Sequence, residues 1–391
     1  MMSKNGIVIS VGAGFPQTPF IKKLKDEGYE VAGFGMGRND PEAIALCDYF
    51  EEISTADAHS SIQWIESLNK KVIGAGSFAG GVAIDTLQKI ERHFDLPTQT
   101  PEFLSVGMDK HKQQKLYNKL GLSNIATFHI SELKERSELL VDENKYILKP
   151  VIGRGSSGVY KLTGLELKDW LINKELGDED LVQEFLVGDE YRLMAIIQNS
   201  KLRLLAQVKR DSLQDTFLLG RLTIMDSHKE SLIKYMDHLI SETKIVNAII
   251  KFDVIINDDV INMIEMDIGV GGGLYYKKFI EEAYGLNIVE EYINLITNKP
   301  LSFENPNSKP NIRMDYIYNY KCKPIKYNKE LIEKHLIQKV GEFKLVKNLL
   351  SPELSGRFET NADFIFTIIH QSDKFTTIEL NQEINNFFTD L

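Results

Sequence analysis

The 391-residue chain exceeds what one ordinary hydrophobic core holds, so two or three domains are expected. Its 43% hydrophobic and 26% charged residues suit a soluble globular protein, with no run near the roughly 20 apolar residues of a membrane span. A net charge of -10 disfavours general nucleic-acid binding, which needs basic surface to neutralise phosphates, and Lys22-Lys23 and Lys277-Lys278 read as solvated faces.

The chain runs directly into a strand at Gly6 to Gly12, without the basic start and cleavage site of a signal peptide. Strand and helix then alternate: a helix over Pro19 to Glu27 ending at Gly28, a strand over Tyr29 to Phe34, and a helix over Ser60 to Leu68. A strand at Val72 to Ala75 and a helix at Val82 to Phe94 follow. This βαβ rhythm predicts a parallel sheet covered by helices on both sides, with a boundary at Pro97 to Pro101. Asp109 to Leu120 is a basic helix closed by Gly121, followed by β-rich segments up to about Lys299. Leu301 to Pro310 reads as a linker. Beyond it, strands are expected at Asn311 to Tyr320, Phe364 to His370 and Thr376 to Leu380, with a helix near Lys329 to Val340. Cys47 and Cys322 stand far apart with no His or Cys cluster beside them, which argues against a zinc site and fits a reducing cytoplasm.

Gly12-Ala13-Gly14 after the first strand invites a dinucleotide reading. Gln17 stands where the third glycine belongs, and Phe34-Gly35-Met36-Gly37 offers no acidic residue for a ribose. A tight turn at the sheet edge accounts for these glycines.

Four later segments carry more chemistry. Met108-Asp109-Lys110 opens the basic helix. Ile147-Leu148-Lys149-Pro150 delivers a lysine from a strand, and Gly153-Arg154-Gly155-Ser156-Ser157-Gly158 follows it. Small residues let backbone N–H groups close over phosphate oxygens, and Lys149 would add a point charge, although glycine loops also serve as plain turns. The third segment runs from Val182 to Tyr191. A strand with a short break there can present a carbonyl and an N–H to an adenine edge, with Glu190 placed for ribose hydroxyls; an ordinary surface hairpin has the same look. The fourth is a hairpin from Phe252 to Asp267 around Asn257-Asp258-Asp259. Asp253, Glu265 and Asp267 share a parity, so all three carboxylates fall on one face of apolar strands and would repel unless a cation such as Mg²⁺ neutralised them.

In order and spacing these segments resemble the ATP-grasp superfamily, nearest the branch of biotin carboxylase, the carbamoyl phosphate synthetase large chain and the purine-pathway ligases. The resemblance covers roughly residues 5 to 300. It implies a Rossmann-like pre-ATP-grasp domain over 1–104, an ATP-grasp domain over 105–300 and a small α+β domain over 301–391, together an α/β and α+β multidomain chain. It further implies that Lys110 and Lys149 contact ATP phosphates under the Gly153 to Gly158 lid, including Gly155, Ser156 and Ser157. Glu184 and Leu186, either side of Phe185, would read adenine and Glu190 the ribose, while Asp253, Glu265 and Asp267 would hold Mg²⁺, with Mn²⁺ an admissible substitute.

The family commonly reads Glu-hydrophobe-Asn-x-Arg on the last strand, whereas this chain has Glu265-Met266-Asp267-Ile268-Gly269. Lys209, Arg210 or Arg221 would have to supply the missing catalytic cation, and Gly271-Gly272-Gly273 could offer backbone N–H groups to a substrate anion. The function implied is an ADP-forming carboxylate–amine ligase acting on small molecules in the cytoplasm. A bicarbonate-using carboxylating or carbamoylating ligase and a non-catalytic ATP-binding protein are the alternatives. The last ninety residues match no motif and are expected to cap the active site or form a homodimer contact.

Overall fold

The computed structural model describes residues 6–107, 109–153, 158–173, 176–177, 179–213, 216–269, 274–304, 306–348, 358–361 and 363–390. The N-terminal region is the parallel sheet that the βαβ rhythm predicts. Its strands run in the order Tyr49–Glu51, Glu30–Phe34, Ile7–Val11 and Val72–Gly76, all parallel. Ile7–Val11 is buried along its whole length, as a strand covered on both faces must be. The helices Thr18–Asp26, Ala58–Ser67 and Val82–His93 cover it. Asp57 starts the second of these by accepting from the Ser60 backbone N–H at 3.0 Å, which satisfies a donor the first helical turn leaves open.

Two antiparallel sheets follow. The smaller has the order Thr127–His129, Asp180–Glu184, Lys145–Pro150 and Tyr160–Thr163. The larger has eight strands: Val260–Ile268, Ala248–Asn257, Asp189–Gln198, Lys201–Ser212, Leu219–Ile224, Arg313–Tyr318, Phe364–His370 and Phe343–Lys347. The helix Lys110–Lys119 runs from one sheet to the other. Its Lys110 N–H donates to Val151 O at 3.2 Å, while Gln113 donates to Met266 O and accepts from Met266 N, both at 2.9 Å.

Three strands from beyond residue 301 therefore extend the large sheet. The principal core shows the same continuity, joining Phe20 and Leu24 to Met194, Leu222, Tyr292, Met314 and Tyr316. Outside it, Ile325–Tyr327 pairs with Phe388–Asp390, and the helices Lys329–Val340 and Thr377–Asn385 pack over Ile317, Ile365 and Phe366.

The last of these helices corrects an expectation, because Thr376 to Leu380 reads as a strand by its β-branched run. Thr376 instead accepts from the Glu379 N–H while the Glu379 carboxylate accepts from the Thr376 N–H, and this reciprocal cap starts a helix. Asn381 then secures the helix by donating to Tyr316 O and accepting from Tyr318 N, each at 2.9 Å. No helix among the described residues is long and apolar enough to cross a membrane.

Candidate active site

A cavity of about 660 Å³ lies between the small sheet, the helix Lys110–Lys119 and one face of the large sheet. It gathers side chains that the sequence scatters over more than 250 positions, from Lys110 to Phe364. On the small-sheet side stand Lys149, Gly153 and the Glu184-Phe185-Leu186 segment. That segment is the crossing between the sheets: Glu184 N donates to Ala126 O and Phe185 N to Lys145 O, both at 2.9 Å, and the chain enters the large sheet at Asp189. The Lys161 ammonium lies 3.6 Å from the centre of the Phe185 ring.

Lys110 and Lys149 reach the cavity from different elements. Lys110 donates to the Gly153 carbonyl at 2.9 Å and lies 3.4 Å from Glu265. Lys149 is only 6% exposed. Burial pushes its ammonium down to about 8, and nearby Lys110 adds to this against the opposing pull of Glu265. An ammonium kept this dry is neutralised readily by a polyanion entering the cavity.

Across from the lysines lies the carboxylate hairpin. Asp253 and Glu265 are direct cross-strand partners, which sets their Cβ atoms roughly 5 Å apart. Arg192, on the adjoining strand opposite Asp253, binds that carboxylate two-pronged, Nε to Oδ1 at 2.7 Å and Nη2 to Oδ2 at 2.9 Å. Burial pushes the Asp253 carboxyl up, but the charge and hydrogen bonds of Arg192 outweigh it and hold the group below the usual carboxylate range. Burial works against the Arg192 charge too; Asp253 more than compensates and raises its affinity for the proton. Asp267 is turned to Lys251, its own cross-strand partner, at 2.8 Å.

This modifies the expected three-carboxylate metal set. Among the described residues no three His, Cys, Asp or Glu side chains gather closely enough to hold an ion by themselves. The pair Asp253 and Glu265 fits Mg²⁺ in another way, since that ion commonly takes one or two carboxylates and completes its shell with water and nucleotide phosphates. Each Asp253 oxygen accepts one hydrogen bond from Arg192 and keeps a second lone pair.

The expected catalytic cations separate in the structure. Arg210 lines the cavity, where it pairs with Glu190 and donates through Nη2 to Phe217 O at 2.8 Å. Glu190 is thus engaged by an arginine at the position expected to face a ribose. Lys209, the next residue on the strand, alternates to the other face and meets Asp189 at 2.9 Å. Arg221 is also away from the cavity: it binds fully buried Asp315 at 2.8 and 3.1 Å, beside His370 and Thr377. Neither Lys209 nor Arg221 lines the cavity.

Of the expected lid, Gly153 lines the cavity, and Gly158 takes a left-handed φ of 71° that favours glycine. Gly155, Ser156 and Ser157 lie outside the described residues, as do Met108 and Gly271 to Gly273. Arg192, Lys251, Tyr276, Tyr316 and Phe364 line the cavity without having been singled out from the sequence. The alternation of Glu190 and Arg192 within an otherwise apolar strand was the available signal.

Residues 109–268 match the model of the ATP-grasp domain. The central segment is an ATP-grasp domain. Over the full length the chain's fold is similar to that of several solved ligases and synthetases. An L-amino acid ligase from Bacillus licheniformis superposes with a TM-score of 0.74 at 14% identity, covering 100% of this chain and 99% of that one. A phosphoribosylglycinamide synthetase from Anaerococcus prevotii gives 0.69 at 17%, covering 99% and 100%. An N5-carboxyaminoimidazole synthetase from Staphylococcus aureus, complexed with ADP, gives 0.71 at 12%, covering 98% and 97%. At these identities the likeness establishes the ATP-grasp fold. No curated protein matches the sequence.

Proposed function

We propose that this protein, with its ATP-grasp domain, is an ADP-forming ligase that phosphorylates a small carboxylate and passes the acyl group to an amine. The observation that carries this reading is the convergence of Lys110 and Lys149 with Asp253 and Glu265 across one cavity. The nucleotide would enter with adenine against the Glu184 to Leu186 crossing and its phosphates toward the two lysines. Asp253 and Glu265 would hold Mg²⁺, which when bound neutralises charge on the phosphates and aligns them for in-line attack.

A carboxylate oxygen of the substrate then attacks the γ-phosphorus, the bond to the β–γ bridging oxygen breaks, and ADP leaves with that oxygen. The amine attacks the acyl carbon, phosphate departs with its oxygen, and the amine loses a proton. Phosphoryl transfer of this kind depends on positioning and on charge placed ahead of time. Arg192, on the strand beside the carboxylate hairpin, and Lys251, on the hairpin itself, would take the part of the arginine absent at Gly269. The dry surroundings of Lys149 strengthen its attraction for phosphate oxygens.

The likeness to N5-carboxyaminoimidazole synthetases gives a bicarbonate-using reaction a place as the second reading. One assay separates the two. The protein is incubated with ATP and Mg²⁺ against pooled carboxylic acids, amino acids, amines and bicarbonate, with ADP resolved from AMP and phosphate followed by NMR. ADP and phosphate released only with an acid–amine pair are expected. Release that depends on bicarbonate selects the second reading, and AMP with pyrophosphate excludes the acyl-phosphate route.

A further inference from the structure

The cavity floor changes character in one direction across the large sheet. Glu265 and Asp253 stand on its first two strands, Arg192 and Glu190 on the third, and Arg210 on the fourth. The fifth, sixth and seventh contribute Leu219, Tyr316 and Phe364. Strands lie about 4.8 Å apart, so Tyr316 is on the order of 24 Å along the sheet from Glu265 and roughly 14 Å from Arg192. The charged half accommodates phosphates and the reacting carboxylate, and the remaining half is walled differently.

Leu219, Tyr316 and Phe364 are 5%, 4% and 3% exposed and reach the cavity from the same core that joins the N- and C-terminal regions. The Tyr316 and Phe364 rings meet edge to face with centres 5.0 Å apart, a fixed aromatic wall. Half-buried Phe217 lines the cavity beside it, and Thr360 and Asn361 add a polar edge, Asn361 accepting from the Leu219 N–H at 2.6 Å. Arg210 is the cation bordering this wall, and its charge is paired with Glu190: Nη1 donates to that carboxylate and Nη2 to Phe217 O, while its buried Nε has no hydrogen-bond partner. A phosphorylated or strongly acidic group would find no uncommitted cation here among the described residues, whereas an apolar group would exchange water for ring and methyl surface.

Building on the ligase reading, we propose that one of the two molecules this protein joins carries a large aliphatic or aromatic group, seated against Phe217, Leu219, Tyr316 and Phe364. The polar half of the cavity handles the reacting atoms, and this wall selects what is attached to them.

The test is calorimetric titration of the full chain, saturated with ADP and Mg²⁺, with leucine, phenylalanine and 4-methylpentylamine, each compared with serine, aspartate and ribose 5-phosphate. At least one apolar compound is expected to bind tenfold or more tightly than all three polar ones. Phe217→Ala and Leu219→Ala should each weaken that binding by roughly tenfold, the effect of removing substantial apolar contact, and leave ADP affinity within about twofold. Phe217→Leu should restore most of it, and thermal melts would confirm that the variants are folded. Tighter binding of ribose 5-phosphate or aspartate overturns the inference, as does an absence of preference. Failure of ADP itself to bind would instead bring down the ligase reading, so the two outcomes stay distinct.

Discussion

Asp253 and Arg192 show how a charge is kept at a half-buried position. Two hydrogen bonds and opposite charge outweigh the cost of burial. Arg192→Lys retains a cation but loses the fork, so turnover should fall at least tenfold while ATP affinity is retained; nucleotide titration beside an ADP-release assay measures both. Arg192→Ala leaves a half-buried carboxylate without its partner, and urea unfolding should show a loss of about 1–3 kcal/mol. Lys149 behaves in the opposite sense. Its folded-state value of about 8 lies below the ordinary 10.5, so below pH 8 the fold bears the cost of a buried charge. That cost fades between pH 8 and 10.5, where the folded state has released the proton and the unfolded state still holds it. Lys149→Met should therefore raise stability at pH 7, by up to roughly 3 kcal/mol at about 1.4 kcal/mol per unit, while sharply weakening ATP binding. In the unmodified protein ATP affinity should decline as pH rises past 8; an affinity flat from pH 7 to 9.5 would contradict this role for Lys149.

Pairing between elements decides which cations serve the fold and which the site. Arg221 joins the strand Leu219–Ile224 to Asp315 on the next strand, and Thr377 from the helix above binds the same carboxylate. Burial pushes Asp315 up, but the His370 hydrogen bond and the Arg221 charge hold it below its usual range. Arg221→Met should thus cost about 3–5 kcal/mol of stability, read by chemical denaturation, and change turnover little in the molecules that remain folded. Lys209→Ala removes a partly exposed pair and should cost within about 1 kcal/mol, with normal turnover. The same distinction explains what could be read from the sequence. The hairpin of Asp253 and Glu265 was legible because a short turn at Asn257-Asp258-Asp259 fixes its register locally, and Asp258 and Asp259 take the positive φ angles of such a turn. Arg192 was not, since the contact that gives it meaning spans 61 residues. The helix Thr377–Asn385 was misread because its β-branched start resembles a strand, although Thr376 and Glu379 carried the capping pattern in plain view.

At the scale of the molecule, the parallel N-terminal sheet was legible because three of its four strands declare themselves by a short apolar run, whereas the half-exposed edge strand Tyr49–Glu51 does not. The membership of the last ninety residues in the large sheet was not, because pairing partners far apart in sequence leave no periodic signal. A chain ending at residue 300 would lose Met314, Tyr316 and Phe364 from the principal core and expose the edge of Leu219–Ile224. It should show no cooperative thermal transition and should associate in solution, which calorimetry and light scattering would detect. That shared sheet also sets a schedule for the newborn chain. Synthesis at about 5–20 residues per second leaves the strand Leu219–Ile224 waiting roughly 5–20 seconds for Arg313–Tyr318 to follow it. Phe364–His370 emerges later still. During that interval the pocket wall does not exist and an apolar strand edge lies open, so this is the stage at which a chaperone would matter most to the yield of folded protein.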